Sequence, residues 1–219
     1  MNLTTNTTFT LTATNAQAST SAQVTVGVGV AGAALRINEF LAINDGGLED
    51  QDGDDSDWIE IFNPGAAPAL LGGWYLTDDP TNLTKWQFPF ISIQTLGYLV
   101  VFASNKDITI GPELHTNFKL SGDGEYLALV MPDGVTVATG FDPTYPPQQA
   151  NVSYGFHGSP LIERALFPPT PGAANNSPAG PIIRNLTENP ASIPGDNDPI
   201  VISAEILPSP SPVTSATLH

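Results

Sequence analysis

Apolar and polar residues alternate along most of this chain with a period of two, and no long stretch keeps the 3.6-residue period of an amphipathic helix. In TTFTLTATN, Phe9, Leu11 and Ala13 fall on one face and Thr8, Thr10 and Thr12 on the other. After a turn over residues 15–20, SAQVTVGVGV sets Val24, Val26, Val28 and Val30 on one face, which predicts a β-hairpin. Further strands are expected at LRINEF (35–40), DWIEIFN (57–63, closed by Pro64-Gly65), GWYLTD (73–78), KWQFP (85–89) and GYLVVFAS (97–104). The strongest hairpin signal joins strands over 125–131 and 135–141 through Pro132-Asp133-Gly134, residues with the right turn chemistry. NVSYGF (151–156) is expected to be the last strand of this series. Seven or more short strands at such spacing predict an antiparallel β-sandwich.

The pattern divides the chain into three units. Residues 1–33 read as the closing hairpin of one β domain, and residues 34–176 as a complete sandwich. Residues 177–219 begin with a Pro/Gly-rich linker and continue into two strands marked by Ile182, Leu186, Ile200, Ile202 and Ile206. The two end units resemble the last and first strands of immunoglobulin-like repeats, so they are expected to be truncated pieces of neighbouring domains. A two-stranded hairpin is marginal by itself in water. The apolar faces Val24/Val26/Val28 and Ile200/Ile202 should therefore find cover by strand exchange, with each other or with a second molecule.

Composition narrows the partners. Six Lys and Arg stand against 22 Asp and Glu, a formal charge of −16. This excludes the basic footprint that nucleic acids and anionic membrane surfaces require. The chain has no cysteine, so disulfides, zinc thiolates and thiol nucleophiles are excluded. No apolar run is long enough for a membrane-spanning helix, so membrane insertion is not expected. The N-terminus lacks a leader pattern, and the signal of an exported parent protein would lie outside this stretch.

The central unit resembles the bacterial lamin tail domain. The resemblance rests on INEFLA (37–42), DWIEIFNPG (57–65), LGGWYLTDD (71–79), KWQFP (85–89), GYLVVFAS (97–104), LHTNFKLSGDGEYLALVMPDG (114–134) and FPPTPGAAN (167–175), in the family's order. It implies an immunoglobulin-like β-sandwich that works as a binding or scaffolding module. It also implies a bacterial, extracellular or cell-surface protein, with other domains of the parent chain or cell-surface proteins and glycans as partners.

Candidate chemistry concentrates in DQDGDDSD (50–57). Asp50, Asp52, Asp54 and Asp57 around a glycine suit calcium, which takes six to eight oxygens. The spacing departs from the EF-hand loop, since the sixth position is Asp55 and the twelfth Ile61. Asp78, Asp79 and Asp123 are candidate contributors from other loops. The competing reading is a solvated acidic loop that protects an edge strand. No pair of carboxylates is singled out for catalysis, and His115 reads as a structural hydrogen-bonding residue. In strand 57–63, Ile59 and Ile61 are assigned to the core, leaving Trp58 and Phe62 partly exposed as loop cover. Trp74 and Trp86 are read as core residues in preference to an exposed glycan platform. The expected function is non-catalytic: a spacer, adhesion or targeting module with no certain cofactor. The alternatives are a calcium-dependent glycan-binding module and an accessory domain to a hydrolase or nuclease in the same parent chain.

Overall fold

The computed structural model describes residues 7–14, 19–26, 35–176, 182–189 and 201–207. Among them every α or β element is a strand, and no helix is long and apolar enough to cross a membrane. In β1 (Thr7–Thr14) and β2 (Ser19–Val26), Phe9 pairs with Val24 and Leu11 with Ala22. Val28 and Val30 lie outside the described residues. Leu11 is 77 % exposed, so the hairpin's apolar face is open around it.

The sandwich begins with β3 (Arg36–Leu41), β4 (Trp58–Phe62), β5 (Ala69–Leu70), β6 (Tyr75–Thr77) and β7 (Trp86–Gln87). It continues through β8 (Ser92–Ile93), β9 (Tyr98–Phe102), β10 (Leu127–Val130), β11 (Val137–Phe141), β12 (Ser153–His157) and β13 (Ile162–Leu166). One sheet has the order β13-β12-β3-β4-β9 and the other β11-β10-β6-β7, with β5-β8 as a small ribbon. Beyond the sandwich, β14 (Ile182–Asn189) pairs with β15 (Val201–Leu207). Among the described residues each terminal hairpin forms its own two-stranded sheet, and Ile200 lies outside them. NVSYGF is not the last strand of the sandwich, because β13 pairs along the whole of β12. Its sequence hid it: Glu163 and Arg164 put a charge on each face of this edge strand.

Both large sheets contribute to one core. Ile37, Phe40, Ile59, Ile61 and Val101 come from the first, and Leu76, Trp86, Leu127, Leu129 and Phe141 from the second. Fully burying each of the larger side chains contributes about 2–3 kcal/mol. A β-bulge at Asn38 sets the geometry of β3. Ile37 lies opposite Ile61, but Glu39 lies opposite Glu60, so two residues of β3 advance for one of β4. Ile37 and Phe40, three positions apart, thereby both reach the core, and Glu39 faces outward beside Glu60.

Trp58 is not partly exposed. It is fully buried with Leu41 and Phe102 on the outer face of the five-stranded sheet. Segment 114–118 runs along β9, where the Phe102 N–H donates to Leu114 O (2.8 Å) and the Thr116 N–H to Phe102 O (2.8 Å). Phe62 is half-buried, stacked on Tyr98 with centroids 4.7 Å apart. Trp74 and Trp86 are core residues. The Pro132-Asp133-Gly134 turn forms as read: Gly134 has φ 72°, and Asp133 Oδ1 accepts from the Val135 and Thr136 N–H groups at 3.0 and 2.9 Å.

Gly155 sits opposite Glu39 where β12 crosses the bulged strand. A Cβ there would overlap the Asn38 carbonyl oxygen and come within 2.8 Å of Glu39 Cα, both backbone atoms. Gly155→Ala is therefore expected to cost about 3 kcal/mol, at the upper end of overpacking, and urea unfolding measures it. A loss under about 0.5 kcal/mol, the range of neutral surface changes, would show that β12 shifts freely.

Candidate functional site

The acidic loop folds around Asp50. Its Oδ1 accepts from the Asp52 and Asp54 N–H groups at 3.0 and 3.1 Å, and its Oδ2 from Ser56 Oγ at 2.9 Å. Gly53, at φ 79°, donates its N–H to Asp50 O at 2.8 Å, and the Gln51 N–H reaches Glu113 Oε2 at 2.7 Å. Asp50, Asp52 and Asp54 each bring a carboxylate oxygen to within 4.8 Å of the others, as a metal centre would need. Lys106 stands at that point. Its Nζ lies 2.7 Å from Asp50 Oδ2, 2.7 Å from Asp52 Oδ2 and 2.9 Å from Asp54 Oδ2.

Burial pushes the Asp50 carboxyl up, but Lys106, Ser56 and the loop N–H groups outweigh it and hold it at about 2. The same carboxylates raise the Lys106 ammonium well above its ordinary value. Asp57 lies outside this group. It accepts from the Asn44 N–H at 3.4 Å, and burial raises it to about 6. The other loop acids are engaged separately: Asp78 pairs with Lys85 Nζ at 2.6 Å, and Asp79 Oδ1 accepts from the Thr81 N–H at 2.8 Å. Asp123 is exposed.

A second charged cluster lies on the outer face of the five-stranded sheet. Glu39 and Glu60 are cross-strand neighbours, both fully buried. The closing segment 170–175 covers them. Glu39 accepts from the Thr170 N–H (3.1 and 3.2 Å), from Thr170 Oγ1 (2.7 Å) and from the Ser153 hydroxyl. Glu60 accepts from Asn38 Nδ2 at 2.8 Å and from the Gly172 N–H at 2.5 Å. Asn175 completes the clasp: Asn38 Nδ2 donates to its Oδ1 at 2.6 Å, and its Nδ2 donates to Asn38 O at 2.9 Å and Phe156 O at 2.8 Å. Burial, and behind it the Glu39 charge, raises Glu60 to about 7 against the pull of its two donors. The sequence offered one signal for this pair, a lone carboxylate inside each of two apolar strands, INEF and WIEIF.

His115 is fully buried. Its Nδ1 lies 2.9 Å from Ser104 Oγ, and its ring stacks on Phe102 with centroids 5.3 Å apart. Its Nε2 is 3.8 Å from Glu113 Oε2, too far for a hydrogen bond. The Ser104–His115 pair is buried, so its hydroxyl and imidazole are enclosed by the fold.

No curated protein and no solved structure matches the chain significantly. The lamin tail domain family matches residues 30–140, half of the chain, across β3 to most of β11. With that match and the all-β immunoglobulin-like sandwich, the chain belongs to the lamin tail domain family.

Proposed function

We propose that this chain is a non-catalytic interaction module of an exported bacterial protein, serving as a spacer, adhesion or targeting unit. One observation carries the reading: the groups best suited to chemistry are engaged in holding the fold. Asp50 is tied to Lys106, Glu39 and Glu60 to the closing segment, and His115 is buried beside Ser104. A general base or nucleophile needs a free lone pair directed at substrate. The charge of −16 supports partners that are not polyanions. The exposed Leu11 and Ile202 in the terminal hairpins support lateral contacts with neighbouring β domains or a second copy.

Two measurements test this. The purified chain should turn over no chromogenic glycoside, phosphodiester or peptide faster than a Glu60→Gln/His115→Gln double variant. Turnover abolished by those substitutions would overturn the non-catalytic reading. Antibodies to the chain should label intact cells of the source bacterium, and labelling only after permeabilisation would overturn export.

A further inference from the structure

Segment 168–175 covers part of the outer face of the five-stranded sheet without a hydrophobic footing. None of its residues is buried, and none joins a hydrophobic cluster. Its hold among the described residues is polar. The Thr170 N–H and Oγ1 bond to Glu39, the Gly172 N–H bonds to Glu60, and Asn175 bonds to Asn38 and Phe156. The two carboxylates beneath it are cross-strand neighbours, and both residues are fully buried. Among the described residues neither lies within 4.0 Å of a Lys, Arg or His nitrogen. A segment with exposed backbone and few apolar contacts opens locally, at a cost below that of global unfolding.

We propose that segment 168–175 is a strap that lifts from the sheet as a unit, held down in mildly acidic solution and loosened as both glutamates beneath it ionise. Closed, it keeps water from Glu39 and Glu60. Burial disfavours charge on each, and two like charges side by side without a cation repel. Burial is the main reason that Glu60 is raised to about 7, and the Glu39 charge adds to it. The Asn38 and Gly172 donors favour the ionised form, but burial prevails over them. Lifting the strap hydrates both carboxylates, so the open form binds its proton less tightly and gains as pH rises. The other neighbours do not reverse this balance. Across from Glu60, β9 presents Val100 and, near it, Tyr98, a phenol that burial and the Glu60 charge keep neutral. Arg36 of β3 lies over the Phe62 ring, 4.9 Å from its centroid. On the same face β12 adds Ser153, Gly155 and His157, and β13 sets Arg164 beside Gly155. The strap itself carries no titratable side chain. This device does not depend on the interaction role proposed above.

Hydrogen exchange of the full chain tests it, read as protection factors so that the intrinsic pH dependence cancels. The Thr170 and Gly172 amides should be less protected than those of β3 and β4. Low urea should leave their exchange unchanged while it speeds that of the core amides, because lifting the strap exposes little surface. Their protection should fall by at least about tenfold from pH 5 to pH 8. Glu60→Gln should flatten that fall. Thr170→Val removes one bond to Glu39 and leaves Glu60 in place. It should lower the protection of Gly172 at every pH and keep the slope, which holds the test open should Glu60→Gln fail to fold. Strap amides as protected and as urea-sensitive as the core overturn the proposal. So does protection that stays level or rises from pH 5 to pH 8, or a slope that survives Glu60→Gln.

Discussion

Replacing Lys106 with methionine will destabilise the protein by about 3 kcal/mol at neutral pH and low salt. The Asp50 side chain is fully buried, and removing one partner of a buried ion pair costs about 3–5 kcal/mol; the Ser56 and loop N–H donors that remain on Asp50 keep the loss at the lower end. Asp52 and Asp54 are more than half exposed and add little. Salt will reduce the loss only slightly, because screening acts on exposed charges far more than on buried ones. The same substitution frees three carboxylates around a common point. Calcium above the millimolar range of extracellular sites should then raise the melting temperature of Lys106→Met and leave the parent protein unmoved. Chemical denaturation and a calcium titration of both proteins check this. Stoichiometric calcium binding by the parent protein that is lost on Asp50→Ala would mean that the ammonium leaves readily, and the role assigned to Lys106 would fail.

The second large effect is one of acidity. Glu60 titrates at about 7 in the fold against an ordinary 4.5. Between those values the folded state holds a proton that the unfolded chain has released, so stability falls as pH rises through this window. The contribution is fully present below pH 4.5 and lost above about 7, a change of about 3 kcal/mol from this group. Asp57, raised to about 6 from 3.8, acts in the same direction. Asp50 acts oppositely: its stabilisation is present above 3.8 and lost as pH falls towards 2. The protein should therefore be most stable in mildly acidic solution, near pH 4 to 5. Glu60→Gln should remove most of the decline towards pH 8 while lowering stability at pH 5, since a neutral amide cannot satisfy both the Asn38 and Gly172 donors as a carboxyl does. Denaturation midpoints across this range decide it; a parent protein that gains stability from pH 5 to 8, or a Glu60→Gln variant with an unchanged slope, sinks the argument.

The strands were legible because burial on a pleated surface imposes a period of two, and Ile59, Ile61, Leu127 and Leu129 all obey it inside the core. The outer face was less legible. Trp58 and Glu60 carry the pattern of an exposed face, yet residues far along the chain cover them. The closing segment FPPTPGAAN has no apolar period, so nothing in its sequence marks it as a cover. The bulge at Asn38 was hidden for a related reason. Strict alternation would place Ile37 and Phe40 on opposite faces, and only the partner strand reveals the extra residue. Within the acidic loop, the grouping of Asp50, Asp52 and Asp54 could be read from spacing. Their counter-ion could not, because Lys106 lies in another loop more than 50 residues away. Asp57 belonged to the same run by sequence but immediately precedes β4, and its carboxylate accepts from the Asn44 N–H instead.

The Asn38–Asn175 clasp ties the first strand of the sandwich to the segment that closes it. Tension pulling these two points apart would bear first on the clasp itself and then on the bonds from Thr170 and Gly172 to the two glutamates. The interleaved core strands would be loaded only after that lock had slipped. In a chain strung between neighbouring domains, the cover would serve as a mechanical fuse, and its grip would tighten or slacken with the acidity of the surroundings.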